Sequence, residues 1–258
     1  MPQHEHHADP APSPVLGHLL NPIDSVRFLG MGSANPHWRV EAGGETYVWR
    51  QFGPEHASPG ADHAREARIL AAIAHHPWAP VLLAHCPRHG MLFREAPGQH
   101  PQAASLSQRQ RIALLKTITE CWSTTIDEPP RDYVTLVEAY AHRAPPSGQR
   151  DELVIALIEA CTAWPSEAFR LTHHDLHAGN LLLAEDRWTL IDWEYAALGN
   201  PWFDAVALDK MLDLTPAEKS LLVPMLDGAA NPERWTAMAQ WRSQLNQLWS
   251  LARCRQSE

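Results

Sequence analysis

Residues 171–204 read LTHHDLHAGNLLLAEDRWTLIDWEYAALGNPWFD. The stretch contains His173-x-Asp175-Leu176-x-x-x-Asn180, and Asp192 follows twelve residues after Asn180. Asp192 closes a short apolar run, Trp188-Thr189-Leu190-Ile191, that reads as a strand. A loop between strands can aim one carboxylate, Asp175, at a hydroxyl. The amide five residues later can reach back toward a metal, and a carboxylate on the neighbouring strand can complete its site. Both side chains offer hard oxygen donors, the kind Mg²⁺ prefers.

Outward from this stretch the chain changes character twice. Residues 25–31 read as a strand running into Gly30-Met31-Gly32-Ser33. Residues 37–41 and 45–52 read as strands joined through Ala42-Gly43-Gly44, a strong hairpin signal. Apolar spacing predicts a helix over 61–75, ended by Pro77 and Pro80. Two more strands follow over 81–85 and 91–95, and Ala96-Pro97-Gly98 then breaks the chain. Beyond the break, helical patterns cover 105–126, 133–142 and 151–163, and the segment after residue 204 is helical as well. The reading is a mobile tail over 1–14, a small, mainly β N-terminal lobe over 15–96, and a larger helical lobe over 97–258.

Composition narrows the functional classes. The 258 residues carry a net charge of −9, which argues against general nucleic-acid or anionic-membrane binding. No apolar run has the length of a membrane helix, and the first ten residues lack a leader pattern. Cys86, Cys121, Cys161 and Cys254 form no Cys-x-x-Cys pair, so a reduced cytoplasmic protein is expected. Only three lysines occur, Lys116, Lys210 and Lys219, so a cation needed in the N-terminal lobe must be Arg or His. No Gly-Lys-Ser/Thr occurs, which excludes a P-loop. The His4-Glu5-His6-His7 cluster reads as part of the polar tail rather than as a metal site.

The ordered set resembles a kinase catalytic loop and its metal-binding Asp. Through His173-His174-Asp175-Leu176-His177-Ala178-Gly179-Asn180, Leu190-Ile191-Asp192-Trp193-Glu194-Tyr195-Ala196 and Val48-Trp49-Arg50-Gln51, the chain resembles the aminoglycoside phosphotransferase and choline kinase superfamily. Locally it is most similar to bacterial thiamine kinases. The resemblance implies an α+β, two-lobed protein-kinase-like fold and transfer of phosphate from ATP, with Mg²⁺, to a hydroxyl of a small molecule. Thiamine is the favoured acceptor, with choline or ethanolamine next and an aminoglycoside or sugar third. A non-catalytic pseudokinase that only binds is the rival class. The segment after Asp192 is too short for a protein kinase's activation segment and has no Ala-Pro-Glu.

Carried over by position, Asp175 resembles the catalytic base and His173 the residue that buttresses its loop. Asn180 and Asp192 resemble the Mg²⁺ ligands, and Asp204 the residue that ties down the catalytic loop. Glu194 matches an acidic position that touches metal or substrate. Gly30, Gly32 and Ser33 stand where a backbone loop approaches phosphates. Arg50 takes the place of the phosphate-anchoring lysine, with Glu66 as its ion-pair partner. Backbone groups at Arg94, Glu95 and Ala96 would meet the adenine. His174 and His177 read as bystanders beside His173. Trp193, Tyr195 and Trp202 beside acidic residues would suit a cationic acceptor. Yet Trp235, Met238, Trp241, Leu245 and Leu248 are spaced as a buried helix stripe, and core packing is the better reading for most of the aromatics.

Overall fold

The computed structural model describes residues 12–32, 35–53, 59–164, 168–226 and 232–254, with the Cys254 side chain left out. The chain divides into two compact units. The first comprises the described residues up to 53 together with Pro80–Ala96. The second comprises Pro59–Ala79 and the chain from Pro97 onward.

The first unit is an antiparallel sheet of five strands in the order β1-β2-β3-β5-β4. They span β1 (Ser25–Met31), β2 (Pro36–Ala42), β3 (Glu45–Gln51), β4 (Leu82–Cys86) and β5 (Gly90–Arg94). The β2–β3 hairpin turns at Gly43 and Gly44, with φ of 59° and 80°. Two consecutive positive φ values match the twist of the flanking strands, and glycine reaches them without strain. Trp38, Val40, Trp49 and Leu92 form the core of the sheet face, closed by Leu16 from the short helix α1 (Leu16–Leu19).

The second unit is mainly helical. It holds α2 (His63–Ile73), α3 (Gln108–Ser123), α4 (Tyr133–Arg143), α5 (Gly148–Thr162), α6 (Trp202–Leu212), α7 (Pro216–Leu222) and α8 (Pro232–Cys254). Two small antiparallel ladders are set among them: β6 (Arg170–Thr172) with β9 (Ala197–Gly199), and β7 (Leu181–Ala184) with β8 (Arg187–Leu190). Side-chain caps start most of the helices: Asp62, Asp132 and Ser147 each accept a backbone N–H, and Ser107 and Thr215 form full capping boxes. The stripe on α8 is buried as its spacing predicts, from Trp235 to Leu248. Trp241 packs edge-on against Tyr133 and Phe203 and donates from Nε1 to the Leu157 carbonyl at 3.0 Å.

A mainly antiparallel β unit and a larger helical unit, the α+β organisation expected, are therefore present. One segment is grouped differently. The sequence puts residues 59–79 with the N-terminal lobe, whereas they cluster with the helical unit. Arg65 donates to the Ala196 carbonyl at 2.8 Å, and the Asp62 N–H donates to the Glu194 carbonyl at 3.0 Å. Trp78 stacks on Trp193 with centroids 5.7 Å apart. These are long-range bonds, and local periodicity carries no trace of them. No helix among the described residues is long and apolar enough to cross a membrane.

Candidate active site

The site grows out of β6. The strand ends at Thr172, and the next residues form a loop that reaches β7 through a single 3₁₀ turn, Ala178–Asn180. Asp204, in the first turn of α6 and fully buried, fixes the start of this loop. Its carboxylate accepts the backbone N–H groups of His173 at 2.9 Å and His174 at 3.0 Å, and the Trp122 indole N–H at 3.2 Å. Burial pushes the Asp204 carboxyl above its ordinary value, and the three N–H donors work against that rise.

His173 is fully buried. Its Nε2 lies 2.9 Å from the Ile191 carbonyl, and its Nδ1 accepts the Asp175 N–H at 3.4 Å. A carbonyl only accepts, so Nε2 carries the proton and Nδ1 is free to receive one. The ring thus clamps the Asp175 backbone to the strand that leads to Asp192. His174 is no bystander. It adopts a left-handed φ of 67°, an unusual conformation for a residue other than glycine. Its Nδ1 donates to the Thr172 carbonyl at 3.0 Å, and its Nε2 accepts from the Tyr133 hydroxyl at 2.7 Å. That hydroxyl in turn accepts the Asn200 N–H at 2.7 Å. Burial, then the charge of Arg131, hold His174 well below the ordinary histidine value, so the ring is neutral.

The Asp175 side chain keeps 37% of its surface exposed. Asn180 Nδ2 donates to the Asp175 carbonyl at 2.9 Å and to its carboxylate at 3.0 Å. His177 Nε2 lies 3.6 Å from the same carboxylate. Burial acts to raise Asp175, yet the adjacent His177 and the charge of Arg242 leave it below its ordinary value. Asp175 is ionised at neutral pH. His177 is raised in return, first by the neighbouring Asp175 carboxylate, and by the charge of Asp192 as well. The second histidine read as a bystander is thus a partner of the acidic group.

Asn180 and Asp192 come from the two arms of one hairpin. Leu181 pairs with Leu190, and the Ile191 N–H donates to the Asn180 carbonyl at 3.0 Å. Asp192 follows at a φ of 63°. With both Asn180 amide hydrogens turned toward Asp175, the amide oxygen is left to accept. Asn180 Oδ1 and the Asp192 carboxylate are hard oxygen donors, and they fit a Mg²⁺ that takes its remaining ligands from phosphate and water. No cluster of three or more His, Cys, Asp or Glu suited to a metal occurs among the described residues. Glu194 is buried at 3% exposure.

Glu66 is in α2 of the second unit, 1% exposed, with His63 Nδ1 at 3.6 Å. In the first unit, Arg50 is buried on β3, its guanidinium 5.6 Å from the centre of the Phe93 ring and bonded to Met91 Sδ at 3.1 Å. Arg50 and Glu66 thus belong to different units. The Gly32 N–H donates to the Asn35 carbonyl at 2.8 Å, and a Cβ on Gly32 would stand 2.9 Å from the His37 ring. Gly30 has a φ of 143°, and Ser33 lies outside the described residues. The N–H groups of Arg94 and Glu95 are taken by the carbonyls of Val81 and Thr46, and the Glu95 carboxylate binds Arg39 in a fork at 2.9 and 3.0 Å. Of the expected adenine-facing donors, this leaves the N–H of Ala96.

Most of these aromatic residues pack in the interior, and Tyr195 is half-buried. Trp193, Trp202, Trp235 and Trp241 are all buried, and Trp193 donates to the Leu190 carbonyl at 2.7 Å. Arg242 on α8 escapes a reading of the sequence, because it sits in a generic helical stretch far from the loop.

A family model described as "Phosphotransferase enzyme family" matches residues 25–241. No curated protein matches the chain in sequence. Among solved structures, choline kinase LicA from Streptococcus pneumoniae is similar with a TM-score of 0.72 at 15% identity, over 95% of this chain and 90% of that one. An ethanolamine kinase from Plasmodium vivax gives 0.69 at 16% identity, over 95% and 80%. A spectinomycin phosphotransferase solved with ADP and spectinomycin gives 0.60 at 13%, over 89% and 82%.

Proposed function

Because the chain belongs to the phosphotransferase enzyme family, we propose that it transfers the terminal phosphate of ATP, with Mg²⁺, to a hydroxyl of a small molecule. One observation carries the reading: Asp175 is an ionised, partly exposed carboxylate. It is held by Asn180 on one side and His177 on the other, on a loop anchored by Asp204. Such a group accepts a hydrogen bond from an acceptor hydroxyl and turns its oxygen toward the phosphorus.

The chemistry needed is mostly positioning and charge neutralisation. Asn180 and Asp192 would hold the cation. When bound, Mg²⁺ neutralises charge that builds on the phosphate oxygens. His173 keeps the Asp175 backbone in place, and the hairpin keeps Asn180 and Asp192 in fixed relation. In the first unit, Gly30, Gly32 and Arg50 are the proposed phosphate-side residues and the Ala96 N–H the proposed adenine donor. Solved structures of similar fold have been determined with AMP and with ADP, which supports a nucleotide as the donor.

The test is ATP consumption by the purified protein with Mg²⁺ across thiamine, choline, ethanolamine, aminoglycosides and simple sugars, beside Asp175→Asn. Acceptor-dependent turnover, lost in the variant, is the expected result. Turnover that survives Asp175→Asn overturns the role given to Asp175. Mg²⁺-dependent ATP binding without turnover places the acceptor outside the panel, and the absence of both turnover and Mg²⁺-dependent ATP binding overturns the kinase reading.

A further inference from the structure

A pocket of about 250 Å³ opens in the second unit between α6, α7 and α8. Asp209, Lys210, Asp213, Lys219, Arg242 and Asn246 supply its polar lining. Two of the three lysines in the whole chain lie here. With Arg242 they give this wall one positive charge in excess, in a protein whose net charge is −9.

The charges are not equally committed. Lys219 Nζ is 2.8 Å from the Asp209 carboxylate and 4.8 Å from the centre of the Trp235 ring. Asp209 also accepts the Leu214 N–H at 3.1 Å. Arg242, by contrast, makes no hydrogen bond or ion pair among the described residues, although it is half-buried. Burial pushes it below its ordinary value, and the carboxylates of Asp204 and Asp175 act on it in the opposite sense. Neither carboxylate neutralises it by contact. Asp204 is taken up by three N–H donors and Asp175 by Asn180 and His177. A half-buried guanidinium without a bonded partner has five donors to offer a ligand. Arginine matches a carboxylate in a two-point fork.

We propose that this pocket binds the carboxylate of a small organic acid, gripped by Arg242.

The test measures binding by calorimetry to the full chain, with Mg²⁺ and a non-hydrolysable ATP analogue present. The probes are matched pairs differing by one carboxylate: glycerate and ethylene glycol, serine and ethanolamine, homoserine and propanolamine. At least one acid should bind roughly 10- to 100-fold more tightly than its partner, the scale of a charged hydrogen bond. Arg242→Met should remove that preference, and Arg242→Lys should retain part of it, which separates loss of the site from loss of the fold. Equal binding within every pair, no binding of any acid, or a preference untouched by Arg242→Met overturns the proposal.

Discussion

The Tyr133 hydroxyl stands 2.7 Å from His174 Nε2 and the same distance from the Asn200 backbone nitrogen, so one oxygen joins α4, the loop after β6 and the end of β9. Tyr133→Phe removes that oxygen and leaves a buried ring nitrogen and a buried N–H without it. The expected cost is about 1–3 kcal/mol of stability, the penalty of leaving buried polar groups unpaired. Urea unfolding measures it, and a loss below about 0.5 kcal/mol would show that water or a local shift replaces the hydroxyl.

The neutral state of His174 makes the fold sensitive to acid. Its proton affinity is depressed in the folded protein, so the unfolded chain binds more protons as pH falls through the ordinary histidine range, about 6.5. Stability from this residue is present above that range and lost below it. Thermal midpoints taken between pH 8 and pH 5 should decline toward the acid end. His174→Gln, which keeps polar contacts but cannot titrate, should flatten the decline even if it lowers stability throughout.

The His177 charge supports the ionised form of Asp175, and this predicts the acid limb of the rate profile. In the wild type, kcat/KM should hold down to a pH below the ordinary aspartate value, because Asp175 is depressed. His177→Gln removes a cation that favours the carboxylate, so the limb should move to higher pH. A limb at the same pH in both proteins would remove His177 from the role.

Asp192→Ala should abolish Mg²⁺-dependent nucleotide binding while leaving the hairpin in place, since β7 and β8 pair through residues 181–190 alone. Titration calorimetry with ATP, with and without Mg²⁺, shows whether the metal dependence disappears. Circular dichroism of the variant checks the fold.

Gly199→Ala tests the packing behind the loop. A Cβ at Gly199 would lie 2.5 Å from His174 Cε1 and 2.6 Å from the Tyr133 hydroxyl. Those atoms belong to a bonded chain that cannot swing aside cheaply. The variant should be less stable by about 1–3 kcal/mol, the range for overpacking a core. A wild-type melting temperature would show that β9 can shift.

Local signals made most of the fold legible. Gly43-Gly44 marks its hairpin because a primed turn demands positive φ, and the α8 stripe declares its buried face by spacing alone. The loop from His173 to Asn180 is legible for a related reason: its residues act on one another within eight positions and on Asp192 across a short hairpin. Contacts made across the chain were hidden. His174 reads as an idle neighbour of His173 until α4 brings Tyr133 to it. The grouping of residues 59–79 rests on Arg65, Asp62 and Trp78 meeting residues 190–196. Arg242 sits on a helix whose sequence gives no hint of what its polar face meets, and the family match stops one residue before it.

The anchor formed by Asp204 has a further consequence for how the sequence can drift. Its carboxylate takes hold of two main-chain N–H groups, and every amino acid except proline supplies that group. The grip is therefore indifferent to which side chains the two positions carry. Substitutions there can be selected by their other neighbours alone, and proline is the one replacement the anchor itself would reject.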